Sequence, residues 1–212
     1  MIRSGITRVK LNRRSFTQAA RDSLSHQKVK DLAHKKAQEI SDRAKRDLIT
    51  NFNNHEVTQE IDEGPGAGNS SGTIIGGTGN LFTFIGFYDG DNPTSPIKQY
   101  LRGKGMVYKT SKFVKTSMKE GVYEFRVNAP VLKDIEGLTP MPWESGRSWV
   151  RGIERGISGI GHYMYQQGVA SSRSGAGIQI QGNLGSSFKR VKYMSMLLNN
   201  YVKNLKLGII SK

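Results

Sequence analysis

From Val29 to Phe52 the apolar residues Val29, Leu32, Ala33, Ala37, Ile40, Ala44, Leu48 and Phe52 recur at three- and four-residue steps. That period predicts an amphipathic helix of about 25 residues, whose apolar stripe must be covered by whatever else the chain builds. Ser15 and Gln18 have the spacing of a capping box, so the helical stretch is expected to open near Phe16. Ser23 to His26 is weak helix sequence and marks a bend. The remaining faces mix Lys28, Lys30, Lys35, Lys36, Arg43, Lys45 and Arg46 with Asp31, Glu39, Asp42 and Asp47. A face of such mixed sign suits solvated helix surface.

A second stripe, Val191, Met194, Leu198, Tyr201, Val202 and Leu205, predicts a C-terminal helix. Between the two, Asn53 to Gly79 is broken by seven glycines and one proline and reads as a long loop arm. The apolar run Leu81 to Phe87 reads as a buried strand or docking segment, and Pro96 suits the opening of a short helix through Leu101. Met106 to Ser117 and Val122 to Ala129 predict a hairpin turning at Glu120-Gly121, with Tyr123, Phe125, Val127 and Ala129 on its buried face. From Arg147 to Gln167 two patterns compete. Trp149, Ile153, Ile157 and Ile160 share a helix face, while Gly152, Gly156, Gly159 and Gly161 each oppose a helix by about 1 kcal/mol, which favours strand or irregular structure in the first half. Ser171 to Gly177 reads as a small-residue loop and Ile178 to Ile180 as a short strand. The expected fold is α+β: a long N-terminal helix, a small mostly antiparallel sheet with a hairpin, a C-terminal helix and a glycine-rich loop arm. A single domain is expected over residues 1–212, with a basic N-terminal arm at 1–14 and the loop arm at 53–79.

The charge is large and unevenly placed. Of 212 residues, 32 are Lys or Arg and 17 Asp or Glu, a net charge of +15 and a pI near 10.1. Residues 1–50 hold 13 bases against 5 acids, 51–100 only 1 against 6, 101–150 9 against 5, and 151–212 9 against 1. Such a balance points to nucleic acid, an anionic surface or an acidic partner, and the basic–acidic–basic order also suits head-to-tail association of copies. With no cysteine, disulfides, thiolate zinc sites and cysteine nucleophiles are excluded. No apolar run approaches a membrane span, and the opening residues lack the apolar core of a signal peptide, so no membrane partner is expected.

The catalytic motifs fail on context. Gly68-Asn69-Ser70-Ser71-Gly72 has the serine-hydrolase pattern but sits among glycines, without the strand and helix that hold a nucleophile on its turn. Gly72 and Gly77 have phosphate-loop spacing, yet Thr78 stands where the lysine is required. His55-Glu56 opens like a zinc-protease helix, yet Gln59 replaces the second histidine, and four histidines (His26, His34, His55, His162) make a poor metal inventory. Glu144 and Glu154 have no visible tie to a substrate. No catalytic, cofactor or metal site is therefore expected. The candidate contact residues are Arg147, Arg151 and Arg155, with Trp143 and Trp149 beside them. At four-residue spacing the three guanidiniums share a face on a helix or on a strand, which suits contact with phosphates or with the acidic segment of another copy. No sequence-reading nucleic-acid motif accompanies them, so any such contact is expected to be with phosphates.

Two stretches carry a resemblance. Gly79-Asn80-Leu81-Phe82-Thr83-Phe84-Ile85-Gly86-Phe87 and Pro142-Trp143-Glu144-Ser145-Gly146-Arg147-Ser148-Trp149 resemble segments of structural proteins of tailed bacteriophages. The element order also resembles that of neck or tail-completion (head–tail joining) proteins. The resemblance implies a non-enzymatic virion protein, assembled in the host bacterial cytoplasm and placed in the neck or tail region. It implies a ring of copies between portal or adaptor and tail, bordering the channel for genomic DNA. The competing expectation is a basic, sequence-independent nucleic-acid-binding protein.

Overall fold

A computed structural model describes residues 6–11, 26–75, 79–117, 120–157 and 188–207. The fold is α+β, with a long helix near the N-terminus, small antiparallel sheets and a C-terminal helix. The chain divides into two compact units. One comprises 1–49, 101–130 and 198–212; the other comprises 50–100 and 131–197.

In the first unit, strands β1 (Ile6–Leu11), β2 (Val107–Ser117) and β3 (Glu120–Val127) form an antiparallel sheet in the order β1-β3-β2. The basic N-terminal arm is thus, over Ile6–Leu11, a strand paired along β3 from Ile6↔Arg126 to Leu11↔Gly121. The hairpin is present, but Glu120 and Gly121 already pair with Ser117 and Lys115, so the turn is not theirs. Helix α1 (His26–Asn53) follows the expected period and buries Ala33, Ala37, Ala44 and Leu48, although Leu32 is exposed. Polar side chains fix it to the chain entering β2. Gln38 accepts from Val107 N–H at 3.0 Å and donates to Gly105 carbonyl at 3.3 Å, and Ser41 donates to the same carbonyl at 2.6 Å. The His34 ring meets Phe125 edge-on at 5.5 Å. From the C-terminal helix this unit buries Leu198, Tyr201 and Leu205.

The second unit corrects three expectations. Within Asn53 to Gly79, Glu56–Asp62 is a helix, α2, followed by a tight turn of 3-10 helix at Gly64–Gly66. Val57 and Ile61 give α2 an i, i+4 apolar pair that is fully buried, a short signal that the glycines downstream concealed. Leu81–Ile85 is a helix, α3, within the run expected as a buried strand or docking segment. Asn80 and Thr83 bind each other's backbone N–H across its first turn, and Gly86 ends it at φ +90° in the left-handed region. Helix α4 (Ser95–Arg102) starts one residue before Pro96. After it come α5 (Leu132–Gly137), β4 (Pro140–Met141) paired with β5 (Glu144–Ser148), and α6 (Trp149–Arg155), a helix that also corrects the strand reading. Gly152 does not break α6, because a Cβ there would lie 2.7 Å from Met141 Cε and 2.9 Å from Ile157 Cγ1. A Cβ would force these two side chains to shift, and burying Trp149, Val150 and Ile153 offsets the propensity cost of glycine. The last helix, α7 (Met194–Leu207), opens in this unit. The readings at 12–25, 171–177 and 178–180 lie outside the described residues.

Candidate functional site

The three arginines come from two elements: Arg147 from β5, Arg151 and Arg155 from α6. They nevertheless line one open cleft of about 620 Å³, with Lys133 and Glu136 of α5 on its other side. A chain of hydrogen bonds holds the two walls together. Trp149 N–H donates to Thr139 carbonyl at 2.8 Å, and the Ser148 and Thr139 hydroxyls meet at 2.8 Å. Thr139 Oγ1 donates in turn to Ile135 carbonyl at 2.8 Å, while Ser148 Oγ accepts from Arg151 N–H at 3.2 Å and so caps α6. The far end of α5 is pinned by Tyr100, whose hydroxyl donates to Asp134 at 2.7 Å and accepts from Val131 N–H at 3.0 Å. Burial, and then that bond to Asp134, raise the Tyr100 hydroxyl to about 12, so it remains a donor throughout the physiological range.

The sign of the cleft depends on where the carboxylates go. Glu154 is the only acid between Arg151 and Arg155 and is not in the lining. Its Oε1 accepts the N–H groups of Tyr193 at 3.2 Å and Ser195 at 2.6 Å, at the opening of α7. A helix start takes a negative group well, and the cleft loses a counter-charge by it. Glu144 lies 3.0 Å from Arg147 Nε in a half-exposed pair. The lining itself carries Lys133, Arg147, Arg151 and Arg155 against Glu136, with Arg147 also paired to Glu144 beside it. A fifth cation, Arg190, lies against Gly156, its Nε 3.2 Å from where a Cβ would stand. Lys133 and Arg190 were missed from sequence, because nothing in the chain order joins them to the arginine row.

The two tryptophans take a different place. Trp149 is 1% exposed and meets Phe87 edge-on at 6.0 Å. Trp143 is half-buried and its indole N–H donates to Ile85 carbonyl at 2.8 Å. Both line a second, more open groove of about 690 Å³, with Tyr88, Pro93, Leu138 and Pro142.

The catalytic patterns are used structurally. His55 Nδ1 accepts from Val57 N–H at 3.2 Å and caps α2. Within the serine pattern, Asn69 donates to Ile74 carbonyl at 2.7 Å and Ser71 N–H donates to Glu60 at 2.8 Å. No group of three or more potential metal ligands occurs among the described residues, and no described helix is long and apolar enough to cross a membrane. Comparison with protein families, curated proteins and solved structures finds nothing that matches this chain.

Proposed function

We propose that this chain is a structural subunit of a tailed-phage neck, a head–tail joining protein without catalytic residues. It would form a ring with other copies between portal or adaptor and tail, bordering the path of the DNA. One observation supports the reading above the rest: the two stretches that carry the resemblance meet in a single packing site. Trp143 of one donates to Ile85 of the other, and Phe87 of one meets Trp149 of the other. Two short motifs far apart in sequence thus form one packed unit. The basic cleft favours a second reading, a free-standing basic protein that binds nucleic acid without reading its sequence.

Removing the protein from the phage that encodes it separates the two. The neck reading expects filled heads and separate tails in the lysate, restored to whole particles by the purified protein. Normal yields of infectious particles would contradict it.

A further inference from the structure

We propose that the cleft between α5 and the β5–α6 corner binds phosphates of a duplex DNA backbone. The inference deepens the neck reading and rests on it only for the duplex being the nucleic acid at hand. Three observations carry it. Arg151 and Arg155 stand one helical turn apart, about 6 Å along the axis, close to the separation of neighbouring phosphates on one strand. The carboxylate nearest in sequence, Glu154, is spent on the backbone of α7. The rim is open at Gly137 and Gly146, where a Cβ would meet nothing within 4 Å, so a sugar–phosphate chain can approach there.

The rival occupant, the acidic segment of another copy, is poorly suited. Of the six acids between residues 51 and 100, Glu60 accepts the N–H groups of Ser71 and Leu81, Asp62 holds Thr94 and Lys98, and Asp91 accepts from Tyr88 N–H. Half of that charge is committed within its own fold, whereas a phosphate backbone offers an unbroken row. Guanidiniums take phosphate through paired N–H donors, and such contacts carry no base information.

The test is binding of a short labelled duplex, in two unrelated sequences, to the purified full-length chain across a salt series. Wild type is expected to bind both sequences equally. R147A/R151A/R155A is expected to flatten the log–log salt slope by about 1.8 to 2.7, two or three phosphates at about 0.9 each. The triple Arg→Lys variant keeps the slope, and Gly146→Glu weakens binding while leaving every arginine in place. Thermal melting shows which variants fold; should the alanine variant fail, Gly146→Glu carries the test. An unchanged slope in the alanine variant, or unchanged affinity in Gly146→Glu, overturns the proposal. Loss of self-association with the slope intact overturns it in favour of the acidic-segment contact. Because DNA binding is read on the purified chain, absence of the protein from virions would refute the neck role and leave this result standing.

Discussion

Asn80 holds more of the second unit together than any other single polar side chain described here. Its Oδ1 accepts from Thr83 N–H at 3.0 Å, while the two hydrogens of its Nδ2 are shared among the carbonyls of Gly64, Pro65 and Ala67 at 3.1, 3.1 and 2.8 Å. One amide thus starts α3 and ties down the turn after α2. Asn80→Ala is expected to cost about 2–3 kcal/mol in urea unfolding, more than the ~1 kcal/mol of an ordinary cap. Asn80→Asp keeps the cap but turns a carboxylate toward three carbonyl oxygens, so it should be no better than alanine; recovery to wild-type stability would refute the donor role. His55 makes a second, pH-dependent claim. Burial holds its imidazole below the ordinary 6.5, against the opposing pull of Glu56 and of a hydrogen bond to the Lys192 backbone. The unfolded chain therefore binds the proton more readily than the fold does. Stability from the neutral ring is present above pH 6.5 and is lost as the pH falls through the folded value. His55→Asn keeps a capping acceptor without the titration, so the fall in melting temperature from pH 7 to pH 5 should be smaller than in wild type. An equal fall would place the pH sensitivity elsewhere.

At the scale of elements, packing rather than propensity decides α6. Gly152→Ala should raise helix propensity by about 1 kcal/mol, yet the added Cβ would press on Met141 and Ile157, and overpacking costs about 1–3 kcal/mol. The net effect is expected to be destabilising. Gly137→Ala, at the open end of α5, should be neutral or stabilising by up to about 1 kcal/mol. Denaturant midpoints of the two variants moving together would contradict this. The same contrast explains what could be read from the residues alone. Helix α1 was legible because eight apolar positions keep one period over many turns. Helix α3 was not, since four apolar residues in a five-residue stretch are compatible with a strand, although Asn80 and Thr83 held the signal of its cap. Gly152 misled because its reason is a contact with β4 that no local pattern records. The arginine row was legible from its spacing on either kind of element, and the structure uses both. The other wall of the cleft was hidden, since Lys133 enters from α5, and Trp149, a contact candidate by its neighbours, is core.

On the scale of the whole molecule, charge and packing divide the work. The glycine-rich arm expected at 53–79, which opens in the acidic block, is partly folded into α2 and its surroundings, with Glu60 fully buried. The net charge of +15 already counts these acids, and on the proposed reading it faces an anionic partner, DNA or a neighbouring protein. A neck subunit would meet both, and ring closure would satisfy each head-to-tail interface once per copy. The most direct test is a symmetry-expanded electron-microscopy reconstruction of the neck in the phage that encodes the protein. The account predicts a closed ring of this chain between head and tail, with the Arg147, Arg151 and Arg155 cleft turned toward the DNA. A neck fully accounted for by other proteins, with this chain absent from the particle, would contradict it.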